Sequence, residues 1–95
     1  MPKAYWIAHV DVKDPEPYGI YAKLASACFV KYGANILARG GDYEPLEGAI
    51  RARNVVIEFE SMEQALACYH SPEYQAAKAH RLGKAEAELL IVQGA

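Results

Sequence analysis

The sequence predicts one α+β domain, in which a four-stranded antiparallel sheet carries its helices on one face. Two observations lead to this prediction. The 95 residues suffice for one domain with one hydrophobic core, and segments of strand and helix character follow one another as strand, helix, strand, strand, helix pair, strand. That order describes two strand–helix–strand units joined in one sheet, a split arrangement written βαββαβ. We therefore treat residues 1–95 as a single domain.

The first strand–helix–strand unit begins with the alternating, aromatic and β-branched segment Tyr5–Val12, which predicts a strand. A helix follows, because Asp14 is suited to cap it and Pro15 fits the first helical position. Gly33 is well placed to end this helix in the left-handed conformation. The segment Asn35–Arg39 then predicts the second strand.

The second unit follows a long irregular excursion and begins with the predicted strand Arg53–Phe59. The segment Ser61–Gln64 has the pattern of a capping box and starts a short helix. The segment Ser71-Pro72-Glu73 starts a second helix, which we expect to run to Gly83. The last strand is predicted over Glu88–Gln93. In this topology, that of ferredoxin-like folds, the first and third strands are central.

Alternation along the strands divides their side chains between two faces of the sheet. One face is wholly apolar and is expected to carry the helices: Trp6, Ala8, Val10, Ile36, Ala38, Val55, Ile57 and Phe59. The second face is only half apolar: Tyr5, Ile7, His9, Leu37, Arg39, Asn54, Val56 and Glu58. A face of this composition is best buried against the same face of a second copy. We therefore expect a homodimer in which two sheets close into a barrel with a cavity between them.

Composition and charge exclude several classes of partner. The formal charge is −2, and no basic run marks a nucleic-acid-binding surface. No apolar run approaches the ~20 residues that cross a bilayer, and the first residues lack a signal-peptide layout, so we expect a cytoplasmic protein without a membrane partner. Cys28 and Cys68 fit no metal spacing and are expected to be small buried apolar side chains.

The second face also contains the residues with the most useful chemistry. His9, Asn54 and Arg39 are expected to lie together at one end of it, and Tyr5 and Glu58 toward the other. His9 is the candidate catalytic residue, because imidazole can act as acid or base near neutral pH. Arg39 could clamp a carboxylate or another anion. Asn54 could orient a polar atom of a ligand. The alternative for His9 is a hydrogen bond in the dimer interface. For Arg39 it is an ion pair with Glu58 or Asp42 or a contact across the dimer, and for Asn54 a hydrogen bond to the long excursion.

Tyr74 is a further candidate ligand-binding residue, because it lies in the first turn of its helix and could cover the cavity mouth or contact the partner. The alternative is local packing. His70 and His80 are expected to be exposed and have no second ligand at a useful spacing, so we expect no metal. The chain also lacks a glycine-rich phosphate loop and a serine nucleophile elbow.

Several segments resemble the domain-of-unknown-function 1330 family. They are Tyr5–Val12, Arg39-Gly40-Gly41, Arg53–Phe59 and, most specifically, Ser71-Pro72-Glu73-Tyr74-Gln75. The family is part of the dimeric α/β barrel superfamily, so the resemblance implies a ferredoxin-like protomer and a face-to-face dimer. That superfamily includes cofactor-free monooxygenases, haem-degrading enzymes and regulatory ligand-binding modules. The family has no agreed activity, so no catalytic residue is implied by the resemblance.

Two functional hypotheses follow. The first is a cytoplasmic homodimer that binds a small organic ligand, for instance an anion, in a barrel cavity; it extends to a cofactor-free enzyme. The second is a non-enzymatic stress or regulatory module, in which the same polar residues only set the register of two sheets. We expect no cofactor in either case.

Overall fold

A computed structural model describes residues 2–95 of the chain. Four strands and three helices account for most of them. In chain order they are β1 (Ala4–Val12), α1 (Pro15–Lys31), β2 (Asn35–Arg39), β3 (Arg53–Phe59), α2 (Met62–His70), α3 (Pro72–Ala79) and β4 (Ala85–Gln93). This confirms the predicted α+β fold with the order βαββαβ.

The four strands form one antiparallel sheet in the order β2-β3-β1-β4. β1 and β3 are the central strands, as the βαββαβ topology predicts. In β1 the buried residues Ala4, Trp6, Ala8 and Val10 alternate with more exposed ones. Helix α1 packs against α3, and all three helices lie on the buried face of the sheet.

Each helix begins where the sequence supplies a cap. The amide of Glu16 donates to Asp14 Oδ1 at 3.4 Å. The amide of Gln64 donates to Ser61 Oγ, and that of Tyr74 donates to Ser71 Oγ, both at 3.1 Å. These bonds satisfy donors that the first turn of a helix leaves free.

The core lies between the helices and the buried face of the sheet, and Trp6 is its centre. Trp6 is 1% exposed, and its ring lies 5.0 to 5.9 Å, centroid to centroid, from four other aromatic rings. These rings belong to Phe29, Phe59, Tyr69 and Tyr74. Both cysteines are buried and free, as expected of small apolar side chains.

Two predicted boundaries in the second half were wrong. Helix α3 ends at Ala79 instead of near Gly83, and β4 begins at Ala85 instead of Glu88. The intervening residues form a turn in which Gly83 has a φ of +76°. The strand starts early because β4 pairs with β1 along its whole length, from Val12 opposite Ala85 onward.

The register between β2 and β3 contains an irregularity that changes which face its residues occupy. Ile36 pairs with Ile57, but Ala38 pairs with Val56 and Arg39 with Val55. Leu37 is therefore an extra residue, and directly paired residues of an antiparallel ladder point to the same face. Arg39 lies on the helix side of the sheet and Ala38 on the opposite side, which is the reverse of the prediction.

Candidate functional site

The face of the sheet that lies away from the helices, called the outer face here, brings His9 and Asn54 together. They pair across β1 and β3, and His9 Nδ1 lies 2.7 Å from Asn54 Oδ1. The Asn54 amide nitrogen donates to the Arg51 carbonyl at 3.3 Å, so its oxygen faces the imidazole. Because an amide oxygen only accepts, His9 Nδ1 is the donor in this hydrogen bond.

Tyr5 and Glu58 pair farther along the same face, as expected. The Tyr5 hydroxyl donates to Glu58 Oε2 at 3.4 Å, and Lys3 Nζ lies 3.8 Å from Glu58 Oε1. Four of the six predicted site residues therefore share the outer face and form two cross-strand pairs.

Arg39 is not on that face, so the predicted grouping of Arg39 with His9 and Asn54 is wrong. Because Leu37 is an extra residue in β2, Arg39 lies on the helix side of the sheet instead of the outer face. A register change of one residue exchanges faces, and alternation alone cannot locate it. Arg39 instead lines a cavity on the helix side.

Tyr74 does not cover a cavity mouth, and this prediction is also wrong. Its side chain is fully buried in the core, and its hydroxyl lies 2.7 Å from the hydroxyl of Tyr21. Burial raises the pKa of Tyr74 well above its usual range, so the phenol is neutral. The helix that begins at Ser71 directs Tyr74 inward against Trp6.

The cavity lined by Arg39 lies between α1 and the sheet and has a volume of about 50 Å³. Small side chains leave this space, since Ala8 and Ala87 on the sheet and Ala22 and Ala25 on the helix all line it. The remaining walls are mostly large and apolar. They consist of Trp6, Val10, Tyr18, Tyr21, Ser26, Phe29, Ile36, Val55, Ile57 and Leu89.

Three arginines, Arg39, Arg53 and Arg81, are among the residues that line the same cavity. Arg53 lies over the ring of Tyr18, with Cζ 5.6 Å from the ring centroid, and Arg81 lies over the ring of Tyr21 at 5.1 Å. Arg53 Nε is buried and has no hydrogen-bond partner among the described residues. The cavity therefore combines apolar walls with a cationic end.

Tyr18 is one of the two phenols whose rings lie against these arginines. Burial raises the pKa of Tyr18 above its usual value of 10.0, although the charge of Arg53 acts in the opposite direction. The hydroxyl group is therefore protonated at neutral pH and can donate a hydrogen bond.

Sequence reasoning missed Arg53, Arg81 and the role of Arg51. Arg51 lies across the outer face: it contacts Glu88 through two bonds of 2.6 and 2.7 Å and Asp11 at 2.8 Å. Strand alternation could have placed Arg53 beside Val55, on the helix side. Arg51 and Arg81 lie in irregular segments, where no periodicity reports orientation.

A second hollow, of about 290 Å³, lies between α2 and β4 at the edge of the sheet. Its lining is apolar apart from Tyr69 and His70, and it is an open surface groove. Polar groups do not converge on it, so the smaller cavity is the better candidate site. Within residues 2–95 there is no cluster of three side chains suited to a metal ion, and no helix is long and apolar enough to span a bilayer.

Comparison with known sequences gives one family match. The profile of the family described as a domain of unknown function (DUF1330) matches residues 3–95. No curated protein is similar to the chain at a significant level.

Solved structures share the fold at low sequence identity. A protein of unknown function from Rhodopseudomonas palustris has a TM-score of 0.79 and 16% identity, covering 99% of this chain and 83% of that one. SnoaB, a cofactor-independent oxygenase from Streptomyces nogalater, has a TM-score of 0.63 and 8% identity, covering 100% and 95%. A dimeric protein of unknown function with a ferredoxin-like fold from Bacteroides fragilis has a TM-score of 0.53 and 13% identity, covering 96% and 95%. At these identities the likeness concerns the fold.

Proposed function

Because this chain belongs to the DUF1330 family, whose function is unknown, we propose a function from its cavity: each protomer binds a small organic ligand between α1 and the sheet. The observation that carries the proposal is a space inside the core that Ala8, Ala22, Ala25 and Ala87 leave open. Protein interiors are closely packed, and an unfilled space in a core costs stability. Apolar walls with a few polar groups are the usual lining of a ligand site.

The size of the cavity limits the ligand. One water occupies roughly 10–15 Å³ by this measure, so a space of about 50 Å³ corresponds to about four waters. We therefore propose a ligand of about four to six non-hydrogen atoms, well below drug size. This site is distinct from the barrel cavity that the sequence predicts between two sheets, which stays a prediction.

We further propose that the protein is a homodimer joined through its outer faces. Leu37, Leu90 and Val92 are large apolar residues on this side of the sheet and are 51%, 53% and 45% exposed. Leu37 is on one edge strand and Leu90 and Val92 are on the other, and the partly buried Ile7 and Val56 lie on the strands between them. Burial of these residues against a second copy would remove apolar surface from water. The similar protein from Bacteroides fragilis is described as dimeric, which supports this assembly.

In such a dimer, His9, Asn54, Tyr5 and Glu58 would lie at the interface, on the opposite side of the sheet from the cavity. A catalytic role for His9 stays a prediction. It would require a second space between the two sheets.

Ligand binding is tested by saturation-transfer NMR with a panel of acids, amides, alcohols and amines of four to six heavy atoms. Ala22→Leu fills the cavity from α1, and Ala27→Leu is the matched control, because Ala27 is on the same helix and exposed. At least one compound should bind wild type and Ala27→Leu and fail to bind Ala22→Leu. If no compound binds at millimolar concentration, or if Ala22→Leu binds equally well, the cavity is not the site.

The assembly is tested by light scattering coupled to size exclusion. Leu90→Glu places a charge on the outer face and should give a monomer, whereas Leu24→Glu on α1, where Leu24 is 42% exposed, should leave a dimer. A monomeric wild type would contradict the assembly. A dimer that binds no ligand would instead favour the hypothesis of a non-enzymatic interaction module.

A further inference from the structure

We propose that the ligand of this cavity is a small carboxylate with a short apolar tail, held by Arg53 together with Arg39 and Arg81. The inference rests on the proposed ligand site and adds its chemical class. It depends on how the four arginines of the chain are partnered.

Only one of the four arginines is in an ion pair among residues 2–95. Arg51 contacts three carboxylates on the outer face. The other three arginines all line the cavity, and none of the lining residues is Asp or Glu. Three arginines in a cavity that no carboxylate lines leave their positive charges without an acidic partner there, and an anion that binds in the cavity would supply one.

The orientation of Arg53 leaves a donor available. Its Nη1 lies so close to Gly40 that a Cβ added there would be 2.5 Å away. Gly40 has a φ of +67°, and its amide donates to the Asn54 carbonyl at 2.9 Å, so the backbone is held at this point. The guanidinium therefore lies against the backbone at one end, and Nε, which is buried, has no acceptor.

A carboxylate matches this arrangement better than other anions. A guanidinium binds the two oxygens of a carboxylate through parallel N–H donors, and the Nε edge is one that can do so. The rest of the cavity is lined by alanines and large apolar groups, including Ile36, Val55 and Leu89. An apolar tail gains from burial there, whereas inorganic phosphate has no such group.

The test compares isobutyrate with isobutyramide, a neutral compound of nearly the same shape, and with inorganic phosphate. Dissociation constants are measured by NMR titration on wild type, Arg53→Gln and Arg51→Gln. The last variant is the matched control, because it removes the same charge from outside the cavity. We expect isobutyrate to bind wild type and Arg51→Gln at least tenfold more tightly than isobutyramide, and Arg53→Gln to lose this preference.

A second pair of variants tests the orientation of Arg53. Gly40→Ala displaces the guanidinium, whereas Gly48→Ala has a similar backbone strain, with φ at +83°, and open space around it. Isobutyrate should bind Gly40→Ala more weakly than Gly48→Ala, by about tenfold. Equal affinities would overturn the role of Arg53 as the anchor.

The outcomes separate the inference from the proposed function. If isobutyramide binds wild type as tightly as isobutyrate, the cavity is a ligand site and the carboxylate assignment is wrong. If phosphate binds and isobutyrate does not, the same assignment is overturned. If none of the three compounds binds and the broader panel also fails, the proposed function itself is refuted.

Discussion

The hydroxyl pair of Tyr21 and Tyr74 makes a quantitative prediction about stability. The two oxygens lie 2.7 Å apart, and the residues are 8% and 0% exposed. Replacing Tyr74 by Phe removes one hydroxyl and leaves the other without this partner. Loss of a buried hydrogen bond costs about 1–3 kcal/mol when one polar group is left behind. The Arg81 guanidinium approaches both hydroxyls and can still accompany Tyr21, so we expect the lower part of this range, about 1–2 kcal/mol.

A double-mutant cycle isolates the pair. Tyr21→Phe should cost a similar free energy of unfolding, and the double variant should cost about as much as one single variant. The magnitude of the coupling then equals one single-variant loss, about 1–2 kcal/mol. Urea denaturation monitored by circular dichroism measures it, at one fixed protein concentration because a dimer unfolds in a concentration-dependent way. Single-variant losses that add within ~0.3 kcal/mol would show that the hydroxyls do not interact.

Three further predictions concern the ion-pair cluster, the thiols and the core. Hydrogen bonds from the Ala52 amide and from Arg51 lower the pKa of Asp11, and Arg51 also lowers the pKa of Glu88. These carboxylates therefore stabilise the fold at pH values above their unfolded pKa. They lose that effect as the pH falls through their lowered folded pKa. Arg51→Gln should therefore lower the Tm at pH 7 and not at pH 2.5; an equal decrease at both would contradict the cluster. Burial raises the pKa of the Cys28 thiol and raises that of Cys68 to about 12. Neither thiol should therefore react with an aromatic disulfide reagent at pH 8 before the protein unfolds. Stoichiometric labelling of the native protein would contradict the burial of these thiols. Trp6→Ala should lower the free energy of unfolding by about 3–5 kcal/mol, measured by denaturation monitored by circular dichroism, because four aromatic rings surround this side chain. A decrease below ~1 kcal/mol would show that the core is not centred on Trp6.

The success of the sequence prediction for β1 has a simple cause. Its alternation is long and uninterrupted, so Tyr5 and His9 were placed correctly on one face and Trp6 on the other. The pairs His9–Asn54 and Tyr5–Glu58 follow from the antiparallel order of two central strands. Local capping chemistry likewise predicted the starts of all three helices.

The failures also have physical causes. Strand β2 has five residues, and a single extra residue at Leu37 reverses the face of Arg39 without altering the composition of the segment. Tyr74 was predicted at a cavity mouth, but the direction of its side chain depends on how α3 packs against α1 and Trp6. Neither the face that Arg39 occupies nor the direction of the Tyr74 side chain can be predicted from the few residues around it.

The elements and the helix starts could be predicted from the sequence because they depend on periodicity and on local hydrogen bonding, which are encoded over a few adjacent residues. The fold class and the strand order then follow from the order of the elements, because few topologies are compatible with it. The cavity could not be predicted, because it exists where alanines from three different elements face one another. Its cationic end joins Arg39, Arg53 and Arg81, which lie up to 42 positions apart in the chain. Their convergence depends on the register of β2 against β3 and on the turn before β4, and long-range packing sets both.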